Sequence, residues 1–154
     1  MEVKYLEIKL DLKQELKNFI NKDNQYTIPI FIPHKGCPHA CVFCNQKTIS
    51  GSAAFSLEKA AQTINDSIQT LDGRQAEIAF FGGSFTAIEQ NMMSALLSLG
   101  KEQIQKGTVS GIRLSTSPDC ISRGILELLG SFGVTAIELG CQSTDDGVLA
   151  ASGR

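Results

Sequence analysis

Apolar positions along the chain change period several times, and the changes predict alternating helices and strands. Leu12, Leu16 and Ile20 recur at four-residue spacing, which predicts a short amphipathic helix over 10–20. Tyr26 to Ile32 is a compact apolar, β-branched run ended by Pro33, and it predicts a buried strand. Ser56 then offers an N-cap for a helix whose stripe is Leu57, Ala60, Ala61, Ile64, Ile68 and Leu71, with Asp72-Gly73 as its stop. The rhythm repeats. Ile78 to Phe81 predicts a strand running into Gly82-Gly83, and Glu89 to Lys106 a helix through Met92, Met93, Leu96, Leu97 and Leu99, stopped at Gly107. Gly111 to Thr116 predicts a third strand broken by Pro118, and Ser122 to Gly130 a helix. Val134 to Leu139 predicts a fourth strand, with a further helix opening near Thr144 to Asp146.

Strand followed by helix, four times over, is the pattern of a parallel sheet with crossover helices. The expected class is therefore α/β, as a partial (β/α) barrel or an open sheet, with ligands at the C-terminal edge of the strands. The 154 residues suit about one domain. The chain stops just after a helix has begun, so the expectation is an N-terminal helical extension over 1–25 and, over 26–154, the N-terminal part of a longer barrel enzyme. Net charge is −2, from 14 basic and 16 acidic residues, which gives no electrostatic footprint for nucleic acid. No apolar run approaches the roughly 20 residues that span a bilayer. The first residues are not a signal peptide, so the expected location is the reducing cytoplasm, away from membranes.

Chemistry concentrates in one loop, Cys37-Pro38-His39-Ala40-Cys41-Val42-Phe43-Cys44, directly after the first predicted strand. Three thiols spaced C-x3-C-x2-C can hold three irons of a [4Fe–4S] cube and leave the fourth iron without a protein ligand. An open coordination position distinguishes a catalytic metal centre from a closed structural one. The competing reading is a zinc knuckle of the same cysteines with His34 or His39, although no second C-x2-C pair follows.

The loop resembles the C-x3-C-x-aromatic-C signature of the radical S-adenosylmethionine (SAM) superfamily. That resemblance implies a [4Fe–4S] cluster on Cys37, Cys41 and Cys44, SAM chelated to the open iron, and reductive cleavage of SAM to a 5′-deoxyadenosyl radical. It also implies that Phe43 packs near the adenine and that Gly82, Gly83 and Ser84 hold the methionine end. Ser84 stands where the family commonly has an acidic residue. Ser115 corresponds to a ribose contact, although a Ser at a strand end also reads as a capping residue, and Ser117 and Asp119 read as turn formers. Gln142 matches a SAM-contacting position. Arg154 matches an arginine that reaches the ribose or carboxylate, whereas its place in the chain alone reads as a frayed, solvated side chain. No side chain is assigned as a catalytic acid or base.

Within the superfamily, Cys37-Pro38-His39, Gly82 to Thr86, Ser117-Pro118-Asp119 and Glu138-Leu139-Gly140-Cys141-Gln142-Ser143 resemble the radical SAM domain of the Elongator catalytic subunit and its short bacterial relatives. Those relatives tend to carry Arg where this chain has Ser117, and Val where it has Cys141, here expected to be a small buried side chain. Glu138, inside a predicted buried strand, is expected to face the barrel interior near Arg113 or a substrate. The resemblance further implies a flavodoxin or ferredoxin as reductant and tRNA as a possible substrate. A cluster-binding fragment without activity is the remaining alternative.

Overall fold

The computed structural model describes residues 26–32, 37–44 and 55–154. The helix expected over 10–20 and the candidate ligand His34 lie outside them. Four strands form one parallel sheet in sequential order: β1 (Tyr26–Ile32), β2 (Ala76–Gly82), β3 (Ile112–Thr116) and β4 (Val134–Leu139). The helices α1 (Leu57–Thr70), α2 (Gln90–Gln105) and α3 (Arg123–Ser131) connect them, and α4 (Asp146–Ala151) follows β4. Every predicted element after residue 25 is present, and the class is the α/β, partial-barrel arrangement of parallel strands and crossover helices.

Local chemistry sets the helix starts. The Ser56 hydroxyl accepts from the Lys59 amide and the Ser122 hydroxyl from the Ile125 amide, each relieving an orphan donor of a first turn. At α2 the Glu89 carboxylate accepts from the amides of both Asn91 and Met92, so the charge also meets the positive end of the helix. Asp145 does the same for Val148 at α4.

The helices cover one face of the sheet. Ile28, Ile30 and Ile32 of β1, Ile78 and Phe80 of β2, and Ile112 and Leu114 of β3 alternate onto that face. There they pack with Ala60 and Ile64 of α1, Met93, Leu96 and Leu97 of α2, and Leu129 of α3. Packing is tight enough that a side chain at Gly100 of α2 would collide with Ile112. The third strand starts at Ile112, one residue later than its sequence implied, with Gly111 pressed against Thr135.

The other face of the sheet is polar in its centre. Arg113 projects there from β3, diagonal to Glu77 on β2 and to Glu138 on β4. Its Nε donates to Glu77 Oε1 at 2.6 Å and its Nη1 to Glu138 Oε1 at 2.9 Å. Both carboxylates stabilise the guanidinium charge and raise its pKa further above the ordinary arginine value. Glu138 thus meets Arg113 as its sequence implied, but it is half exposed, because β4 is an edge of the sheet rather than a buried strand. Glu77 is the buried member, with a side chain only 8% exposed.

That burial makes the pair testable. Arg113→Ala leaves the Glu77 carboxylate without its cation and should cost about 2–4 kcal/mol, somewhat below a fully buried pair because Arg113 is partly solvated. Adding Glu77→Gln to that variant should recover most of the loss. Urea denaturation of the three variants measures this, and an unchanged midpoint for Arg113→Ala would contradict it.

Candidate functional site

The strands deliver their chemistry to one edge. β1 points into the cysteine loop, β2 into Gly82-Gly83-Ser84, β3 into Ser115-Thr116-Ser117, and β4 into Gly140-Cys141-Gln142. In a parallel sheet all four C-terminal ends lie on the same side, so segments distant in sequence converge without long connections. They surround a half-open cavity of about 200 Å³. Its walls include Cys37, Cys41 and Cys44, and with them Phe43, Gly82, Gly83, Ser84, Ser115, Gln142 and Arg154. All ten residues singled out in the sequence meet there. A larger cavity of about 360 Å³ opens among the turns at the opposite edge, where Arg74, its ionisable residue, stacks over the Tyr26 ring.

Gly82 shows why a glycine is needed at the mouth of β2. Its φ is +138°, and a Cβ built there would stand 2.0 Å from the Ile32 carbonyl oxygen. No side chain fits in that space. Beyond it, Ser84 is buried and Phe85 stacks on Phe80 with centroids 5.0 Å apart. Thr86 ties this turn to β3. Its hydroxyl donates to the Cys120 carbonyl at 2.7 Å, so the Thr116 hydroxyl, also at 2.7 Å, must donate to Thr86.

The cysteine loop makes a tight turn, with the Cys44 amide donating to the Cys41 carbonyl at 3.0 Å. Cys41 is buried, Cys37 and Cys44 are half-buried, and none of the five cysteines is in a disulfide. Phe43 is exposed on the loop tip. Among the described residues, no three His, Cys, Asp or Glu side chains converge closely enough to hold a single metal ion. His39, one candidate for the fourth zinc donor, instead places Nε2 2.7 Å from Asp119 Oδ2. Cys37, Cys41 and Cys44 all line the one cavity, and three thiolates are the donor set that three irons of an iron–sulfur cube take.

Other side chains take places the sequence did not assign. Arg154 is half-buried, not frayed: its amide donates to the Leu149 carbonyl at 2.9 Å, and its Nη2 donates to the Ser117 hydroxyl. Ser117 itself is buried against the cavity and donates to Asp119 Oδ1. That hydrogen bond, helped by His39, lowers the Asp119 pKa below the usual carboxylate value. Thr116, Ser117 and Gly140 also line the cavity, and the run of hydroxyls Ser115-Thr116-Ser117 was the available clue. Cys141, expected to be buried, is exposed, because the chain leaves the sheet at Leu139 and turns sharply. Gln142 follows in left-handed backbone at φ +71°, uncommon for a side chain with a Cβ. Burial pushes the Cys120 thiol pKa up, partly offset by a hydrogen bond with Ser84.

Gly82→Ala should lower the melting temperature by about 10 °C, from the backbone clash and the strained φ together. Gly124→Ala, where a Cβ meets nothing within 4 Å, should leave it unchanged or raise it slightly, as alanine favours the helix. Equal melting points for the two variants would contradict the role given to Gly82.

No helix among the described residues is long and apolar enough to cross a membrane. No curated protein matches the chain. The family model for the radical SAM superfamily matches residues 31–154, a span that runs from the end of β1 through the cysteine loop and every other segment of the cavity wall. With that span and this geometry together, the chain belongs to the radical SAM superfamily.

Proposed function

We propose that the chain is a radical SAM enzyme, or the N-terminal part of one, whose half-open cavity holds a [4Fe–4S] cluster and SAM side by side. One observation carries this reading: three cysteine thiols and the Gly-Gly turn, separated by about forty residues in sequence, wall the same cavity. Cys37, Cys41 and Cys44 would hold the cluster, which when bound and reduced supplies the electron that cleaves SAM to methionine and a 5′-deoxyadenosyl radical.

The remaining residues bind and orient. The backbone at Gly82 and Gly83 offers carbonyl acceptors to the methionine ammonium, unobstructed by any Cβ. Ser84 adds a neutral hydroxyl where an acidic side chain would add an ionic contribution. Arg154 spends one donor on Ser117 and keeps the rest of its fork for a carboxylate or ribose oxygen. Ser115 supplies both a donor and an acceptor for a ribose hydroxyl. Gln142 adds an amide donor and acceptor to the cavity wall, and the exposed Phe43 ring provides an apolar platform for adenine. A low-potential flavodoxin or ferredoxin is the matching reductant, and the cytoplasm the matching compartment for thiolates that must stay reduced.

The relation to Elongator rests on the Glu138–Ser143 string and its companion motifs. The chain's charge of −2 adds no phosphate-binding support for tRNA, so the substrate is proposed only as an organic molecule with an abstractable hydrogen.

Anaerobic reconstitution with ferrous iron and sulfide should give a brown protein with about four irons per chain. Its reduced EPR signal should change when SAM is added, and dithionite should drive release of 5′-deoxyadenosine. A colourless protein holding one zinc would reject this function, and a SAM-responsive cluster without product would identify an inert cluster-binding domain. Replacing Cys37, Cys41 or Cys44 singly by Ala should abolish the SAM-responsive cluster.

Arg154→Gln should weaken SAM binding about ten- to a hundredfold, as expected for loss of a charge-assisted contact, while iron content stays at the wild-type level. Unchanged SAM affinity in that variant would remove Arg154 from the site.

A further inference from the structure

The cysteine loop is fastened to the rest of the molecule by partners that lie far away in sequence. On one side the Val42 amide donates to the Ser152 carbonyl at 3.0 Å, and the bare Cα of Gly153 lets the chain close against Ala40, where a Cβ would stand 3.3 Å from the carbonyl oxygen. On the other side His39, between the first two cysteines, meets Asp119 at 2.7 Å across 80 residues. Asp119 belongs to the single turn of 3₁₀ helix, Pro118–Cys120, that follows β3.

The Asp119 carboxylate uses both oxygens. Oδ2 faces His39, while Oδ1 accepts from Ser117, which in turn accepts from Arg154. Because Ser117 is buried at the end of β3, the carboxylate is held in a fixed place, and His39 is held by it. The pair itself is half open to water, the His39 side chain 24% and Asp119 49% exposed. A solvated pair of this kind contributes little to global stability. Its value is geometric: it fixes the middle of a loop whose two flanking thiols, Cys37 and Cys41, must keep their spacing.

We propose that His39 and Asp119 are positioning residues that latch the three-cysteine loop to the end of β3 and hold its thiols at the spacing the cluster needs. For the cluster, the inference rests on the function proposed above; for the loop, it stands on the contacts alone. Outer partners of this type, which orient ligands without touching the metal, commonly change metal affinity about tenfold or more when removed.

The test has one arm without metal and one with it. In the metal-free chain, buried Cys41 should be alkylated by iodoacetamide about tenfold faster in Asp119→Ala and in His39→Ala than in wild type, because the loop opens locally. Exposed Cys141 serves as the internal reference and should react at the same rate in all three. The double variant should react no faster than either single one, and Asp119→Asn, which can still bond to His39, should return most of the protection. After anaerobic reconstitution, an iron chelator should strip the cluster about tenfold faster from the two Ala variants, with the melting temperature of the unloaded His39→Ala chain unchanged. Wild-type alkylation rates at Cys41 in both Ala variants would overturn the latch. So would additive effects in the double variant. If wild type takes up no cluster but Cys41 is unmasked as expected, the proposed function fails and the latch stands. A normal cluster with no change in chelator loss overturns its role toward the cluster.

Discussion

Gly82 and Ile32 determine how closely the first two strands can approach at the edge where the chemistry collects. β1 and β2 pair in register from Tyr26 with Ala76 to Ile32 with Gly82, and at the last rung the backbone of Gly82 occupies space that any side chain would deny it. Ile32 leads towards the cysteine loop and Gly82 opens the Gly-Gly turn. Backbone pairing therefore fixes the start of the Gly-Gly turn against the end of β1, independently of side chains that could change rotamer. The Gly-Gly turn takes its place in the cavity wall from that rung, and the segments after β3 and β4 take theirs from the two strands laid alongside it.

The sheet separates stability from chemistry. One face is closed by α1, α2 and α3 over an apolar core in which Phe80, Leu96, Leu97, Ile112 and Leu114 lose all contact with water. The strand ends carry small and polar groups that pack little but present donors, acceptors and thiols. Between them, on the sheet's other face, Arg113 joins three neighbouring strands through Glu77 and Glu138. An ion triad there ties β2, β3 and β4 together on the face that the described helices do not cover.

Much of this was legible because the hydrophobic period changes at each boundary: 3.6 through Leu57 to Leu71, short β-branched or aromatic runs at Ile28 and Phe80. Caps such as Ser56 and Ser122 are local, so sequence spacing suffices to find them. What was not legible depends on who lies beside whom. That β4 is an edge is a property of sheet order, so the burial of Glu138 and Cys141 was overestimated while Glu77, one residue ahead of the predicted strand, went unnoticed as the buried acid. Arg154 read as a solvated side chain, and Asp119 as a mere turn former, for the same reason. Their partners, Ser117 and His39, are 37 and 80 positions away, and no periodicity links them.

The hydrogen bond from Val42 to Ser152 has a temporal side. Chains fold from the N-terminus as they leave the ribosome, and sequential strand order lets β1, β2 and β3 dock as they emerge. The three thiols are among the first groups exposed, yet the carbonyl that receives Val42 is synthesised about 110 residues later. Throughout that interval the nascent loop lacks its final clasp. Any group that the three thiols receive meets a loop whose far anchor is completed only after this segment has been translated.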